Sequence, residues 1–564
     1  MRFWLHLGIQ ALCLTALVTA GATARAADTI SLSLNIKDGA TISDIVRVKA
    51  EAYYSQGINK VDFLVDNQLR HTDSSVPYTF DWNTLDDSEG PHTLTAVATD
   101  VNGNTKSVTI HVVINNELGK GAAYYADLTV AGIKANNLPA AENMARRALK
   151  IDPTNLKVKS ALASLDEANH EYGKALDELK GAAIPSDDYK TKRQLASLYI
   201  MAGRTASSTS DFLSNAQTAL DLEKQALQTE VNSALHSPNA QSAEGQMAVG
   251  DAYFYSQQYD KAVQIYEQCA DRSQAPLPCV NRLVLANYRD GHLRAATYRL
   301  DQLRRDKRED TVTKAIRGMV LIYQHDFKGA LQEVAAGAAD NNLASIMISA
   351  YAHSATGKAD LAEKEAKQAA ALAPNLPEVQ YLLSLTAQGS LDSRDAFFKA
   401  VAADPSFASA YAMRGFQTLL AGGHESLQPA MQFFNFALKI EPINQYALIG
   451  KAIDDLMLKQ YDDAGSTLDQ LLKLNPNAPD SWVVDAAYDL YSNQSSLYTQ
   501  KAMEKAFKLD PNYWGDTFVP HLFDLAKRVY VYRALPILTP NSLYPPAASP
   551  VPLSAPNQQN GSGN

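Results

Sequence analysis

Three times between Ala437 and Pro511 the chain closes a helix-like run with the same phrase: ALKIEP ending at Pro442, LLKLNP at Pro476 and AFKLDP at Pro511. The phrases lie 34 and 35 residues apart, and earlier forms end at Pro153, Pro374 and Pro405. A period of this size constrains the fold more than any local propensity. Each unit is too small to bury its own apolar face and must stack on its neighbours. The proline closes the run because it cannot continue a helix and disfavours helix in the residue before it.

A second marker shares the period. Tyr172, Tyr259, Phe327 and Tyr461 each stand three residues before an alanine, namely Ala175, Ala262, Ala330 and Ala464. Twelve residues before such alanines sits another small residue, as in Ala163, Gly250, Gly318, Ala350 (before Ala362) and Ala452. That spacing fits two antiparallel helices joined by a short turn. The small residues fall where axes about 8–10 Å apart leave no room for a large side chain.

On these residues, best seen in Gly250-x-x-Tyr253, Tyr259-Asp-Lys-Ala262 and Tyr266, the chain resembles tetratricopeptide-repeat proteins. The resemblance runs from near Gly119 to near Leu535 and implies a mainly α, right-handed superhelical solenoid. Between Gly203 and Gln241 the phase slips; a polar Thr205–Ser210 loop followed by a lengthened or extra helix over Phe212–Leu235 is expected. The Phe518–Tyr532 stretch is expected to cap the last apolar face, as a solenoid end requires.

Ahead of the repeats, from Ala27 to Asn116, the pattern alternates. Val46, Val48 and Ala50, then Val61, Phe63 and Val65, then Leu94, Ala96 and Ala98, and then Val108, Ile110 and Val112 mark short strands separated by turn residues. This predicts a two-sheet β-sandwich. The segments around Val61–Asp66, Pro77–Trp82 and His92–Asp100 resemble bacterial immunoglobulin-like domains. At Asp100, Asn102 and Asn104, alternating oxygen side chains fit either a Ca²⁺ loop or a tight turn bonded to its own backbone.

The expected division is therefore a signal peptide over 1–26, the sandwich over 27–116, the solenoid with its cap over 117–535, and a disordered Pro/Ser/Asn-rich tail over 536–564. Arg2, the apolar Leu5–Val18 run and Ala24-Arg25-Ala26 read as a cleavable export signal. The apolar run is short for a membrane anchor, and Cys13 lies in a poor lipid-attachment context. A periplasmic, cell-surface or extracellular location follows. No later stretch reads as a membrane span.

Net charge is −10, which argues against broad nucleic-acid binding. The Arg304–Arg308 cluster is interrupted by acid and reads as a solvated helix end. No phosphate loop, zinc helix or nucleophile-turn motif is present, so no catalytic, cofactor or metal residue is assigned and a non-enzymatic role is expected.

Cys269 and Cys279 follow the signal segment as a close pair. In an exported chain they suit a disulfide across a proline-containing joint, while Cys269 also suits a small buried helix position. The tetratricopeptide resemblance implies that first-helix positions line a concave groove. Those positions here are Met247, Asp251, Phe254, Met319, Ile322, Met347, Tyr351, Phe416, Leu419, Tyr446, Ile449, Ile453 and Leu456. The set is largely apolar and fits an apolar or amphipathic polypeptide, unless tight winding buries it between repeats. The functional expectation is a scaffold binding protein partners. The alternative is an envelope polysaccharide or peptidoglycan binder, or export accessory, that contacts glycan through the sandwich.

Overall fold

The computed structural model describes residues 29–271, 275–493, 496–511, 519–534 and 537–545. The expected signal peptide and the last part of the tail, 546–564, lie outside the described residues. The described chain forms two compact units. One holds the sandwich with most of the first helical hairpin (through Thr129, and Pro139–Pro153), and the other holds the remaining repeats.

In the first unit, β1 (Ser31–Leu34), β3 (Ile45–Tyr53) and β6 (Tyr78–Asn83) form a three-stranded sheet in the order β1-β3-β6. The second sheet has the order β2-β8-β7-β4-β5, from β2 (Ala40–Ile42), β8 (Thr105–Ile114), β7 (Gly90–Asp100), β4 (Ile58–Val65) and β5 (Gln68–Asp73). Alternation decides the faces. Val61, Phe63 and Val65 are fully buried, and across the register Val61 pairs with Ala98, Phe63 with Ala96 and Val65 with Leu94. Trp82 joins this core and its indole N–H donates to Asp87 at 2.8 Å, which satisfies the one polar group it buries. The turn after β7 uses Asp100 for its own backbone: one carboxylate oxygen accepts from the N–H groups of Asn102 and Asn104, both at 2.8 Å.

The first hairpin, α1 (Ala122–Lys134) and α2 (Leu138–Ile151), belongs partly to this unit. Arg147 of α2 makes a two-pronged ion pair with Asp44, at 2.9 and 2.6 Å, and its guanidinium lies 5.5 Å from the Tyr125 ring centroid. The sandwich and most of the first hairpin thus share one structural unit.

The second unit continues the array. Its hairpins are α3 (Leu156–Ala168) with α4 (Tyr172–Leu179), α5 (Tyr189–Ala202) with α6 (Thr209–Leu235), and α7 (Ala243–Tyr255) with α8 (Tyr259–Ala270). Next come α9 (Leu277–Arg289) with α10 (Leu293–Arg305), α11 (Thr311–Tyr323) with α12 (Phe327–Ala339), and α13 (Leu343–Ala355) with α14 (Ala359–Leu372). The last are α15 (Pro377–Thr386) with α16 (Ser390–Ala403), α17 (Ala408–Leu420) with α18 (Leu427–Ile440), α19 (Gln445–Met457) with α20 (Tyr461–Leu474), and α21 (Pro479–Tyr491) with α22 (Ser496–Leu509). The phase slip is one 27-residue helix, α6, capped at its start by the Ser208 hydroxyl.

The paired small residues sit at the crossings. Ala163, Ala175, Ala262, Ala330, Ala350 and Ala452 are fully buried. A Cβ added to Gly250 would come within 2.3 Å of the Tyr266 ring. The winding is tight enough for hairpins far apart in sequence to touch. Phe212 of α6 meets Phe397 and Phe398 of α16 and Phe433 of α18 at centroid distances of 6.0, 5.3 and 6.2 Å. Arg204 pairs with Asp395 at 2.6 Å, and the Asn475 amide donates to the Tyr323 hydroxyl at 3.2 Å.

The end of the chain departs from expectation. The helix α23 (Leu522–Arg533) does not stack on α21 and α22 as a cap; it folds back against α17 and α19. Residues 537–545, expected to be disordered, run on as an ordered strap containing the short helix α24 (Pro540–Leu543). Leu538 and Ser542 of the strap are fully buried. The physical reason is the concave face itself, which offers apolar and polar partners that composition alone does not reveal.

Candidate functional site: the concave channel and its strap

The first helices of successive repeats line the concave side of the array. Of the thirteen residues expected to line an open groove there, Met247 and Asp251 are half-buried. Phe254, Met319, Ile322, Met347, Tyr351, Phe416, Leu419, Tyr446, Ile449, Ile453 and Leu456 are buried. Of the two readings, an open lining and burial by tight winding, the open lining is therefore corrected for these eleven residues. Phe416 stacks on Tyr446 at 4.6 Å, meets Phe434 of α18 edge-on at 5.1 Å, and lies 6.5 Å from Tyr530 of α23. The Tyr446 hydroxyl donates to the Tyr530 carbonyl at 3.2 Å, and the Gln417 amide donates to the Tyr530 hydroxyl at 3.2 Å. The apolar stretch of the channel is filled by the chain's own helix.

Beyond α23 the channel becomes polar, and the strap crosses it. Thr539 is the hub. Its hydroxyl donates to the Glu378 carboxyl and accepts from the Tyr255 hydroxyl at 3.3 Å, and Tyr255 in turn accepts from the backbone N–H of Asn541 at 3.0 Å. Thr539 also opens α24 with a reciprocal cap: its N–H donates to the Ser542 hydroxyl at 2.8 Å, and the Ser542 N–H returns to the Thr539 hydroxyl at 3.3 Å. At the far end, the Tyr544 hydroxyl accepts from the Asn281 amide at 2.8 Å while Arg282 lies 4.7 Å from its ring centroid. Arg282 is itself held by Asp251 at 2.8 Å, and Asp251 also accepts from the Tyr266 hydroxyl at 2.6 Å.

Against the strap lies a half-open pocket of about 280 Å³, lined by Arg193, Glu223, Tyr255, Tyr259, Arg289, Glu378, Asp404 and Glu441 and bordered by Ile537, Thr539 and Asn541. Arg193 pairs with Glu223 at 3.0 Å and Glu230 at 2.7 Å; Arg289 donates to the Tyr259 hydroxyl at 2.8 Å. Burial pushes the Glu378 carboxyl up to about 7; nearby Asp404 adds to this, and the hydrogen bonds from Thr539 and Ser542 act against it. Burial likewise pushes Glu223 up to about 7 against the pull of Arg193. A more open space of about 600 Å³ adjoins the pocket, walled by Tyr288, Leu293, Tyr323, Ile443 and Tyr446 among others. Ile443 there is 62% exposed.

The other sequence candidates resolve as follows. Cys269 and Cys279 are joined by a disulfide with Cα atoms 6.0 Å apart, inside the range such a bond allows. The basic Arg304 pairs with Glu309 and Glu333, and Arg308 donates to the Ala275 carbonyl at 2.7 Å. No group of His, Cys, Asp or Glu able to hold a metal occurs among the described residues. No helix among them is long and apolar enough to cross a membrane. Sequence reasoning missed Tyr255, Arg282, Glu378 and the strap; the run Leu538-Thr-Pro-Asn-Ser-Leu-Tyr544, apolar at both ends of a capping signature, was the available signal.

Two family models match parts of the chain. A bacterial Ig domain model matches residues 29–96, and a tetratricopeptide repeat model matches 243–276, the α7–α8 hairpin. The chain thus carries a match to a bacterial Ig domain in its sandwich and a match to a tetratricopeptide repeat within its array of helical hairpins. A search of curated proteins finds no match. Among solved structures, the chain is similar to the Cut9–Hcn1 hetero-tetramer of APC/C, at 14% identity and TM-score 0.41 over 72% of this chain and 96% of that one. Yeast Tom70 aligns at 14% identity and TM-score 0.30, over 73% and 90%. The fibronectin(III)-like modules of Clostridium thermocellum CbhA align at 21% identity and TM-score 0.14, over 15% and 98%.

Proposed function

We propose that this chain is an exported, non-catalytic scaffold that holds a protein partner in the concave channel of its repeats. One observation carries the reading: the channel already accommodates a polypeptide segment, residues 537–545, and meets its backbone and side chains with groups from α7, α9 and α15. A wall built to satisfy a peptide's polar groups is a wall suited to peptides. The export signal read over 1–26 and the Cys269–Cys279 disulfide support passage through an oxidising compartment. Met247 and Asp251, half-buried beside Arg282, remain proposed contacts, whereas the buried aromatic positions act as the support beneath.

The test is site-specific photo-crosslinking in the native host. A photoreactive residue at exposed Ile443, beside the open part of the channel, is compared with one at exposed Leu361 on α14. A protein adduct formed at Ile443 and absent at Leu361 is expected. Equal adducts at both positions, or retention of the chain by envelope glycan with none at Ile443, would reject the channel and favour the sandwich.

A further inference from the structure

We infer that the strap is an exchangeable occupant, and that the channel takes in its place a partner segment of the same chemistry. That segment is a Thr-Pro turn followed, five residues after the threonine, by a tyrosine. The inference rests on the scaffold reading above and specifies its ligand.

Three observations carry it. First, beside the buried Ile537, Leu538 and Leu543, the strap is held by a few directional contacts. The Thr539 hydroxyl meets Glu378, the Asn541 N–H meets Tyr255, and Tyr544 lies between Asn281 and Arg282. Each contact is made by a group that any segment with the same side chains could offer. Second, the strap is only partly close-packed: Ile537, Leu538 and Leu543 join the core, while one side of the strap borders open space. That space is a half-open pocket of about 280 Å³ bordered by Ile537, Thr539 and Asn541, so withdrawal of the strap would widen a recess that is already there. Third, the exposed strap is not an aggregation hazard. Between Leu538 and Leu543 it carries Thr539, Pro540, Asn541 and Ser542, so leaving the wall releases polar as well as apolar surface. The strap is thus a tethered competitor: it keeps the site closed until a segment matching it arrives.

The experiment uses the full chain and a fluorescent peptide of residues 537–545, ILTPNSLYP. In a Thr539→Val/Tyr544→Ala double variant the chain's own strap is weakened while the wall residues are kept. Saturable peptide binding is expected there. Binding to the wild-type chain should be about a hundredfold weaker, because a tethered segment competes at roughly millimolar effective concentration. A peptide with the same two substitutions should not bind the double variant. Absence of binding to a folded double variant, or equal binding of the substituted peptide, overturns the inference.

Hydrogen exchange of the wild-type chain gives a second reading that needs no variant. Strap amides should exchange at least about tenfold faster than those of α13, as a locally opening segment does. Matched rates would make the strap a fixed wall and overturn the inference. An Ile443 adduct without peptide binding leaves the scaffold reading intact and sinks this one. Peptide binding without any adduct does the reverse.

Discussion

The guanidinium of Arg282 lies 4.7 Å from the ring centroid of Tyr544, so a side chain of α9 clasps a residue 262 positions further along the chain. Arg282 is pre-positioned for this by Asp251, and the Asn281 amide holds the Tyr544 hydroxyl at 2.8 Å. Tyr544→Phe removes only the hydrogen bond and should lower the strap's opening free energy by about 1 kcal/mol. Tyr544→Ala also removes the cation–π contact and should cost about 1–3 kcal/mol in total. Exchange protection of amides 541–544 measures both.

Glu378 makes strap and channel pH-sensitive. Its carboxyl is pushed up to about 7 in the fold, mainly through burial, from an ordinary value of 4.5. Between those values the folded state keeps a proton that the unfolded chain has lost. Its contribution to stability therefore falls as pH rises through the window, and the penalty is complete above about 7. Glu378→Gln keeps an acceptor for Thr539 without the charge. It should stabilise the chain by on the order of 1–3 kcal/mol at about pH 8 and leave it nearly unchanged at about pH 4. Glu223 titrates in the same window, so thermal melts of variant and wild type are compared at each pH.

Asp454 is a costly carboxyl in the array. It is fully buried in α19, neither of its side-chain oxygens has a hydrogen-bond partner, and burial with the adjacent Asp455 pushes it up to about 8 from 3.8. Folding at neutral pH must therefore protonate it. Asp454→Asn should raise stability by on the order of 2–4 kcal/mol near pH 7, and the gain should vanish near pH 4. Denaturant melts at the two pH values decide this; a variant no more stable at pH 7 would show that Asp454 carries no such penalty.

Gly250 tests the crossing rule. The Tyr266 ring that an added Cβ would strike is fixed by its hydroxyl bond to Asp251, so it cannot simply slide away. Gly250→Ala gains about 1 kcal/mol of helix propensity but should lose more to overpacking, for a net cost of about 1–2 kcal/mol. A chemical melt showing net stabilisation would mean that the helices separate freely there.

What the sequence disclosed was whatever depends on near neighbours. Gly250 and Ala262 mark a crossing because the clash is with the adjacent helix; Val61, Phe63 and Val65 mark a sandwich face because strand period and burial coincide. The long α6 followed from one uninterrupted helical run. What stayed hidden depends on partners far along the chain. The composition of residues 537–545 describes how that segment behaves alone, whereas its order comes from Tyr255, Asn281 and Glu378. The destination of α23 was hidden for the same reason. Its apolar face had two possible covers, the open end at α22 and the channel walls at Phe416 and Tyr446, and only the winding of the superhelix brings the second within reach.

That winding changes how the array should melt. Repeat proteins whose units touch only adjacent units behave as one-dimensional chains, fraying from the ends with stability summed unit by unit. Phe212 against Phe397, Phe398 and Phe433 ties an early hairpin to two late ones, and Tyr323 with Asn475 does so again. Loss of the late hairpins would strip α6 of packing more than 180 residues upstream. The array is thereby a closed cooperative body, in which damage at one end is felt as loss of stability at the other.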